Sequence, residues 1–576
     1  MELELVGIIG VLLVVAATTL APKIGVASPL LLVALGFGIS MLPFVEPITV
    51  PPELILAGIL PPLLYAAAAN TPVMEFRRDL GTISVFSVLL VAITAVAIGF
   101  LAVALVPDMP LGIGIALGAI LSPTDAVATS IVKKAGVSKR ITTILEGESM
   151  LNDASALVLL RAAVASIGVG VSLWQVAGQF LWAVLGAIAI GMIVGRLNVV
   201  VRGRIHQVPA NVALSLVVPF LAYIPAEELG ASGLVAAVVA GLATGYGAPL
   251  RMGAQVRIAE RSVWSTIELI LESAVFLLVG LELPTLAADT ASGGLGRPAV
   301  LALLFGAVVL IVRTAMVAWS LWTLARRRVR VEPARARLEQ MQAKIESGEV
   351  PMIAIPKGRG RTGKRRGDRA PSTPEERLGR WQWMVARRKA DLDYLAEEKL
   401  GWKEGGILVW AGMRGAVTIA AAQTLPSGAP HRSLVILIAT LVAVGTLVIQ
   451  GLSLAPLANR LGLTEGHTTT DPAQWDALQA ELDSAALDHL AEHGNERAAA
   501  LVEKMKTRLD HNQDEFADRP DPATFTAVRL QVIEAQRAKL LKLRDVGNYP
   551  SSMMDDALAQ LDAQQIGIEL RQQYAE

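Results

Sequence analysis

The sequence predicts an all-α membrane protein, with about thirteen transmembrane helices of about 20 residues each, inverted repeats with discontinuous crossing helices, and a cytosolic helical tail. Three observations predict it. Of 576 residues, 53% are hydrophobic and 18% charged, and the formal net charge is zero; the apolar residues come in blocks rather than alternating with polar ones. Runs such as ISVFSVLLVAITAVAIGFLAVALV (Ile83 to Val106) and LALLFGAVVLIV (Leu301 to Val312) approach or pass the length needed to cross a bilayer. Two of the blocks are interrupted in mid-span by Pro or Gly beside a charge, at corresponding places in the two halves of the chain.

Taken in order, the apolar blocks, cut at Pro, Gly and charge clusters, place spans at residues 4–21, 26–43, 53–70, 81–106, 110–132, 141–166, 173–197, 208–226, 231–249, 259–284, 298–325, 405–424 and 431–456. The first, MELELVGIIGVLLVVAATTLA, lacks a positive leader and carries two glutamates, so it reads as a span rather than a signal peptide. Cytoplasmic loops collect Lys and Arg. Lys23, Arg77 with Arg78, Lys133 through Arg140, Arg202 with Arg204 and His206, Arg251 through Arg261, and Arg326 through Arg328 all fall in alternate loops. The intervening VPDMP and IPAEELG carry almost no base. This pattern places the N-terminus outside and the C-terminus in the cytoplasm of a multi-pass protein, and the compact loops without targeting signals point to a bacterial plasma (inner) membrane.

The chain then divides into spans one to eleven (1–325), a basic cytoplasmic loop (326–404), spans twelve and thirteen (405–456) and a cytosolic helical tail (461–576). The loop contains KGRGRTGKRRGDR, which reads as an anchor on anionic lipid rather than a nucleic-acid site. The tail has about twice as many carboxylates as bases and reads as regulatory or oligomerising. With no cysteine, disulfides and thiolate metal sites are excluded. No histidine lies in mid-span, so none is named as a pH sensor.

Ionisable residues inside spans are costly and mark function. They are Asp125, Glu148, Asp153, Arg161, Glu268, Glu272, Arg313 and Arg414. In the sixth span Ser149 shares a helical face with Asp153, and Glu148 with Asn152. Glu148 and Asp153 are separated by roughly 140° around the axis and point to different partners. In the fifth span, GAILSPTDAVATSIV, Pro123 breaks the helix near Asp125 and frees carbonyls. In the twelfth, WAGMRGAVTIAAA, Gly412 and Gly415 flank Arg414, which is either an oriented core cation or a cover for freed carbonyls. Broken backbone in a bilayer is tolerated where it lines a site, and paired breaks point to a transporter ion site. Arg161 and Glu268 are expected to snorkel to interfaces or face a cytoplasmic cavity.

GESMLNDASAL (Gly147 to Leu157) resembles the GESLLNDA motif of the monovalent cation:proton antiporters of the NhaP and NHE type. SPTDAVA at Ser122, GMRGAV at Gly412, ESAVFLLVGLEL and the mid-span arginine of IVRTAMV also have counterparts in that family, over residues 1–460. The resemblance implies a sodium/proton antiporter working by alternating access, a homodimer, no enzyme and no cofactor. It implies that Asp153 binds the cation and the proton, and that Asn152, Ser149, Thr124 and Asp125 complete the site, with Asp153, Ser149 and Thr124 as cation ligands. It also implies that Glu148 pairs with Arg313 and that Asn152, in place of an aspartate, makes exchange electroneutral. One departure is LPPLLYAAAANTP, where Ala66 stands at the place of a third-span carboxylate found in some members.

The chemistry suits that expectation. A hard monovalent cation wants oxygen ligands, and an aspartate in an apolar core must hold a proton or a cation rather than stand bare. A potassium-selective proton antiporter is the alternative. An intramembrane aspartic protease would need Asp125 and Asp153 to share a proton and activate water, and the GLGD segment of that class is absent. A passive channel would need a filter, and no filter sequence is evident.

Overall fold

The computed structural model describes residues 2–24, 28–42, 53–166, 173–290, 296–328, 340, 374–397, 400–426, 428–463, 472–493 and 522–573. The basic run from Lys357 to Arg369 lies outside them. Among the described residues the regular structure is helical throughout, with no strand.

The helices are α1 (Glu2–Ile24), α2 (Ser28–Ser40), α3 (Leu60–Asn70, entered through a π-helical stretch), α4 (Val73–Ser84), α5 (Leu90–Leu105), α6 (Leu111–Ile120), α7 (Ala126–Lys134), α8 (Lys139–Ala165), α9 (Leu173–Arg202), α10 (Val208–Glu228), α11 (Gly233–Arg251), α12 (Ala254–Thr290) and α13 (Gly296–Arg328). After them come α14 (Pro374–Glu397), α15 (Trp402–Trp410), α16 (Ala416–Gln423), α17 (Arg432–Arg460), α18 (Pro472–His493), α19 (Pro522–Val546) and α20 (Ser551–Gln573). They form two compact units, one of residues 1–321 with 400–468, the other of residues 322–399 with 469–576.

A helix lies at each apolar block of the first unit. Among the described residues six helices are long and apolar enough to cross a membrane, Val73–Leu105 and Arg432–Arg460 among them. Their outward faces are apolar. Leu303 is 76% exposed, Ile311 66% and Phe100 63%, which water would penalise and lipid rewards. The fourth block starts earlier than its apolar run suggests. Helix α4 begins at Val73 and includes the charges of RRD; Arg77 is exposed, while Asp79 turns inward and pairs with Arg140 at 2.7 Å, both buried.

Packing sorts the unit into two groups. Helices α1 to α3 and α9 to α12 pack on one another, while α4 to α8 pack together and α17 packs against α16, α7 and α12, touching both groups. Small residues allow the closest approaches: a Cβ at Gly36 would stand 2.4 Å from the Leu277 carbonyl and one at Gly280 2.3 Å from the Val33 carbonyl, so α2 and α12 touch through backbone. Without a hydrophobic drive between helices in lipid, such contacts carry the packing.

The second unit has its own core. Leu478, Leu482, Ile533, Leu540, Met553 and Leu561 bury together with their neighbours on α18, α19 and α20. Polar bonds tie the same helices: Arg537 to Asp562 at 3.0 Å, Gln536 to Asp483 at 2.9 Å and the Tyr549 hydroxyl to Glu481 at 2.9 Å.

Candidate ion-binding site

Two interrupted helices cross at the centre of the first unit. Helix α6 stops at Ile120 because Pro123 has no amide to donate and pushes Ser122 out of helical geometry; α7 begins at Ala126. Helix α15 stops at Trp410, and α16 starts at Ala416 after the extended Gly415. The two breaks meet through backbone, the Asp125 amide donating to the Met413 carbonyl at 2.9 Å. Four half-helix ends therefore converge, two with unpaired carbonyls and two with unpaired amides.

One side chain serves each pair of ends. Arg414 donates from Nε to the Leu121 carbonyl at 2.8 Å and from Nη1 to the Gly412 carbonyl, covering the C-terminal ends of α6 and α15. Its own amide donates to the Thr446 hydroxyl at 3.0 Å. Of the two roles the sequence allows, the cover for freed carbonyls is the one observed. Asp125 caps α7, Oδ1 accepting from the Val127 amide at 2.9 Å. Its Oδ2 lies over the start of α16, facing the Ala416 amide without a hydrogen bond. A cation thus sits at the negative ends of the dipoles and an anion at the positive ends. Gly415 makes this possible, since a Cβ there would come within 1.2 Å of Asp125 Oδ2.

Helix α8 passes beside the crossing and is held to it by Thr124. The Ser149 hydroxyl donates to the Thr124 carbonyl at 3.0 Å, and Asn152 Nδ2 donates to the Thr124 hydroxyl at 3.0 Å. Ser149 and Asn152, three residues apart, thus share a partner, whereas Glu148 and Asn152 diverge despite their four-residue spacing. Asn152 is 1% exposed and Asp153 2%. Asn152 Oδ1 and Asp153 Oδ1 are fully buried and accept no hydrogen bond from any described residue. Orphaned acceptors are costly in a protein interior. A proton or a hard cation on the Asp153 carboxylate satisfies its orphaned oxygen.

Glu148 points away from this site. It forms a bidentate pair with Arg313 of α13, Nη2 to Oε2 at 2.9 Å alongside the Nη1 to Oε1 bond, and the two side chains are 0% and 1% exposed. Arg313 Nε donates to the Leu408 carbonyl of α15 at 2.9 Å. A Cβ at Gly412 would lie 2.4 Å from Arg313 Nε, so the absence of a side chain there gives the guanidinium its passage. The pair ties α8, α13 and α15 together. Ala66 is buried in one apolar cluster with Tyr65 and Ala154, the residue after Asp153.

The two charges expected at an interface or a cavity, Arg161 and Glu268, lie at exposed and half-buried positions respectively. Arg161, at the far end of α8 from the basic loops, pairs with Glu227 at 2.9 Å. Glu268 accepts from Asn70 of α3 at 3.4 Å. Other buried polar contacts were not singled out by sequence. Arg202, fully buried, pairs with Glu260 at 2.8 Å and donates to Asn211 at 2.8 Å; Asn198 donates to Thr244 at 3.0 Å; and Gln423 bonds Glu282. Their partners lie on other helices, and the visible signal was a charge or amide at a helix end.

Comparison with known proteins agrees with this architecture. The family model described as sodium/hydrogen exchanger, transmembrane, matches residues 9–359 and 381–460. An uncharacterized Na(+)/H(+) exchanger of Mycobacterium tuberculosis is 30% identical over 96% of this chain and 94% of its own. A sodium, potassium, lithium and rubidium/H(+) antiporter of Bacillus subtilis is 30% identical over 51% of this chain and 45% of its own. The structure of the sodium proton antiporter MjNhaP1 from Methanocaldococcus jannaschii at pH 8 superposes with a TM-score of 0.51 at 17% identity, over 80% of this chain and 99% of that one, which shows a shared fold. The chain belongs to the sodium/hydrogen exchanger family.

Proposed function

We propose that the protein exchanges sodium for protons across the plasma membrane by alternating access, with Asp153 as the group both ions share. The buried, unpartnered oxygens of Asn152 and Asp153 carry the reading. An ionised carboxylate without hydration or counter-ion costs several kcal/mol or more in an apolar core, so the site crosses loaded with a proton or with a cation. The empty, charged form is penalised, and that penalty couples the two flows. Thr124 and Ser149, bonded to each other where α8 meets the crossing, are the further ligands of this reading, an all-oxygen set with Asp153 that suits a hard cation. Asp125 contributes its charge at the crossing while it caps α7.

One titrating carboxylate beside a neutral amide gives one proton for one monovalent cation, an electroneutral exchange. The N-terminus lies outside and the C-terminus in the cytoplasm, following the basic loops. Lithium and potassium are candidates beside sodium: no third-span carboxylate narrows the site at Ala66, and the name of the Bacillus subtilis relative spans those ions.

Purified protein in liposomes loaded with a pH dye tests the reading. A sodium pulse should change the internal pH, and lithium and potassium pulses rank selectivity. Asp153→Asn should abolish the response to every cation while eluting as a folded protein. A folded, inserted Asp153→Asn variant that still moves protons on a sodium pulse would refute it.

A further inference from the structure

Above the ion site, on the side away from the basic loops, α8 carries a second feature. Asp153, Leu157 and Arg161 follow at four-residue intervals, so they line one face of the helix, and Arg161 stands about 12 Å along the axis from Asp153. Leu157 is 8% exposed. Together with Val158, Tyr223, Ser232 and Glu227 it lines a shallow crevice, with Arg161 at its rim.

The two charges of that rim belong to different packing groups. Helix α8 packs chiefly on α4, α6 and α7, whereas α10 packs on α9, α11 and α12. Glu227 is fixed to its own group, because Oε1 accepts from the Gly233 amide at 2.9 Å, at the start of α11. Its other oxygen, Oε2, receives Arg161 Nη1 at 2.9 Å. The arginine side chain is 58% exposed and the glutamate 27%, against 1% and 0% for Arg313 and Glu148. A buried pair braces; a pair in contact with water is cheap to break and remake.

We propose that Arg161 and Glu227 form the outer gate of the ion path, latching the α8 group to the α10 group while the site is closed to the outside. This rests on the alternating-access reading above. Leu157 is the apolar plug beneath the latch. When the groups separate, Arg161 leaves with α8. Glu227 stays bonded to Gly233 and presents a carboxylate oxygen, beside the Tyr223 and Ser232 hydroxyls, to a cation moving between Asp153 and the exterior.

The chain has no cysteine, so introduced thiols report without background. The double variant Arg161→Cys with Glu227→Cys, in proteoliposomes, should keep measurable sodium–proton exchange before treatment, at a rate lowered by the loss of the Glu227 carboxylate. It should stop when linked by a short bifunctional methanethiosulfonate and resume after dithiothreitol. Cross-linked protein that exchanges at the unlinked rate would overturn the gate. A second readout needs no transport: labelling of Val158→Cys by a membrane-impermeant maleimide from outside. Breaking an exposed pair should raise the labelling rate about two- to fivefold in Arg161→Ala, and Arg161→Lys should restore the lower rate. Equal rates in all three backgrounds would also overturn it. If the parent itself shows no sodium-driven proton movement, the antiport reading fails, while the labelling rates still judge the latch.

Discussion

Replacing Arg313 with alanine should be among the most damaging single changes in the membrane unit. The pair with Glu148 is bidentate and its side chains are 1% and 0% exposed. Removing the guanidinium leaves an ionised carboxylate with neither water nor partner, and breaking such a pair costs about 3–5 kcal/mol. The Leu408 carbonyl loses its Nε donor as well, which adds on the order of 1 kcal/mol. The two losses share one side chain and do not add strictly, so a total of roughly 4 kcal/mol is the working figure. At about 2 °C or more per kcal/mol, the apparent midpoint should fall on the order of 10 °C. Arg313→Lys should recover little, because an ammonium cannot span both carboxylate oxygens and also reach Leu408. The apolar double variant Glu148→Leu with Arg313→Met should recover most of the loss, since it buries no unpaired charge. A charge-swapped pair should recover only part, because the donor to Leu408 is gone. The assay is retention of a monodisperse peak after heating in detergent, with exchange measured in parallel. Equal midpoints for Arg313→Ala and the parent would refute the reasoning.

Asn152→Asp should place a second carboxylate beside Asp153 and remove the donor to the Thr124 hydroxyl; two adjacent carboxylates retain a proton that one would release, so exchange at neutral pH should fall, read from the same pH dye. Gly415→Ala should lose expression or thermal stability together with exchange, because the added Cβ would come within 1.2 Å of Asp125 Oδ2; a stable, active Gly415→Ala protein would show that the crossing relaxes. Truncation near Leu461 should leave exchange in place while shifting its pH range. The structure moves the best cut to Thr468, the end of the first unit, because Leu463 is buried at 8% and a break at Leu461 would remove it. Complete loss of transport in a folded chain ending at Thr468 would count against a regulatory tail.

What the sequence made legible were features with a local signature. Apolar blocks gave the helices, Pro123 and the Gly412–Gly415 pair gave the breaks, and GESMLNDASAL gave a helix carrying polar groups. What stayed hidden were partners. Arg140 and Arg202 counted as loop charges in the orientation argument, yet they are 2% and 0% exposed and pair with Asp79, 61 residues before, and Glu260, 58 residues after. A helix-end arginine in water and one folded against an acid have the same local sequence, and tertiary packing decides between them.

Charge at the crossing shows why the hidden part matters. Read alone, Asp125 and Arg414 are two opposite charges in mid-span, 289 positions apart by their numbers (414 − 125), and pairing them with each other would be the simplest guess. Instead each serves backbone: Arg414 bonds the carbonyl ends of α6 and α15, and Asp125 caps the amide end of α7 with its other oxygen lying over the start of α16. This division leaves Asp153 free of both. Were Arg414 bonded to Asp153, the carboxylate would already have its counter-ion, and neither a proton nor a sodium ion would be needed to fill the buried Oδ1. The broken helices thus provide dipole ends that engage Arg414 and Asp125, keeping Asp153 without a permanent partner, and that is the condition the proposed exchange at Asp153 requires.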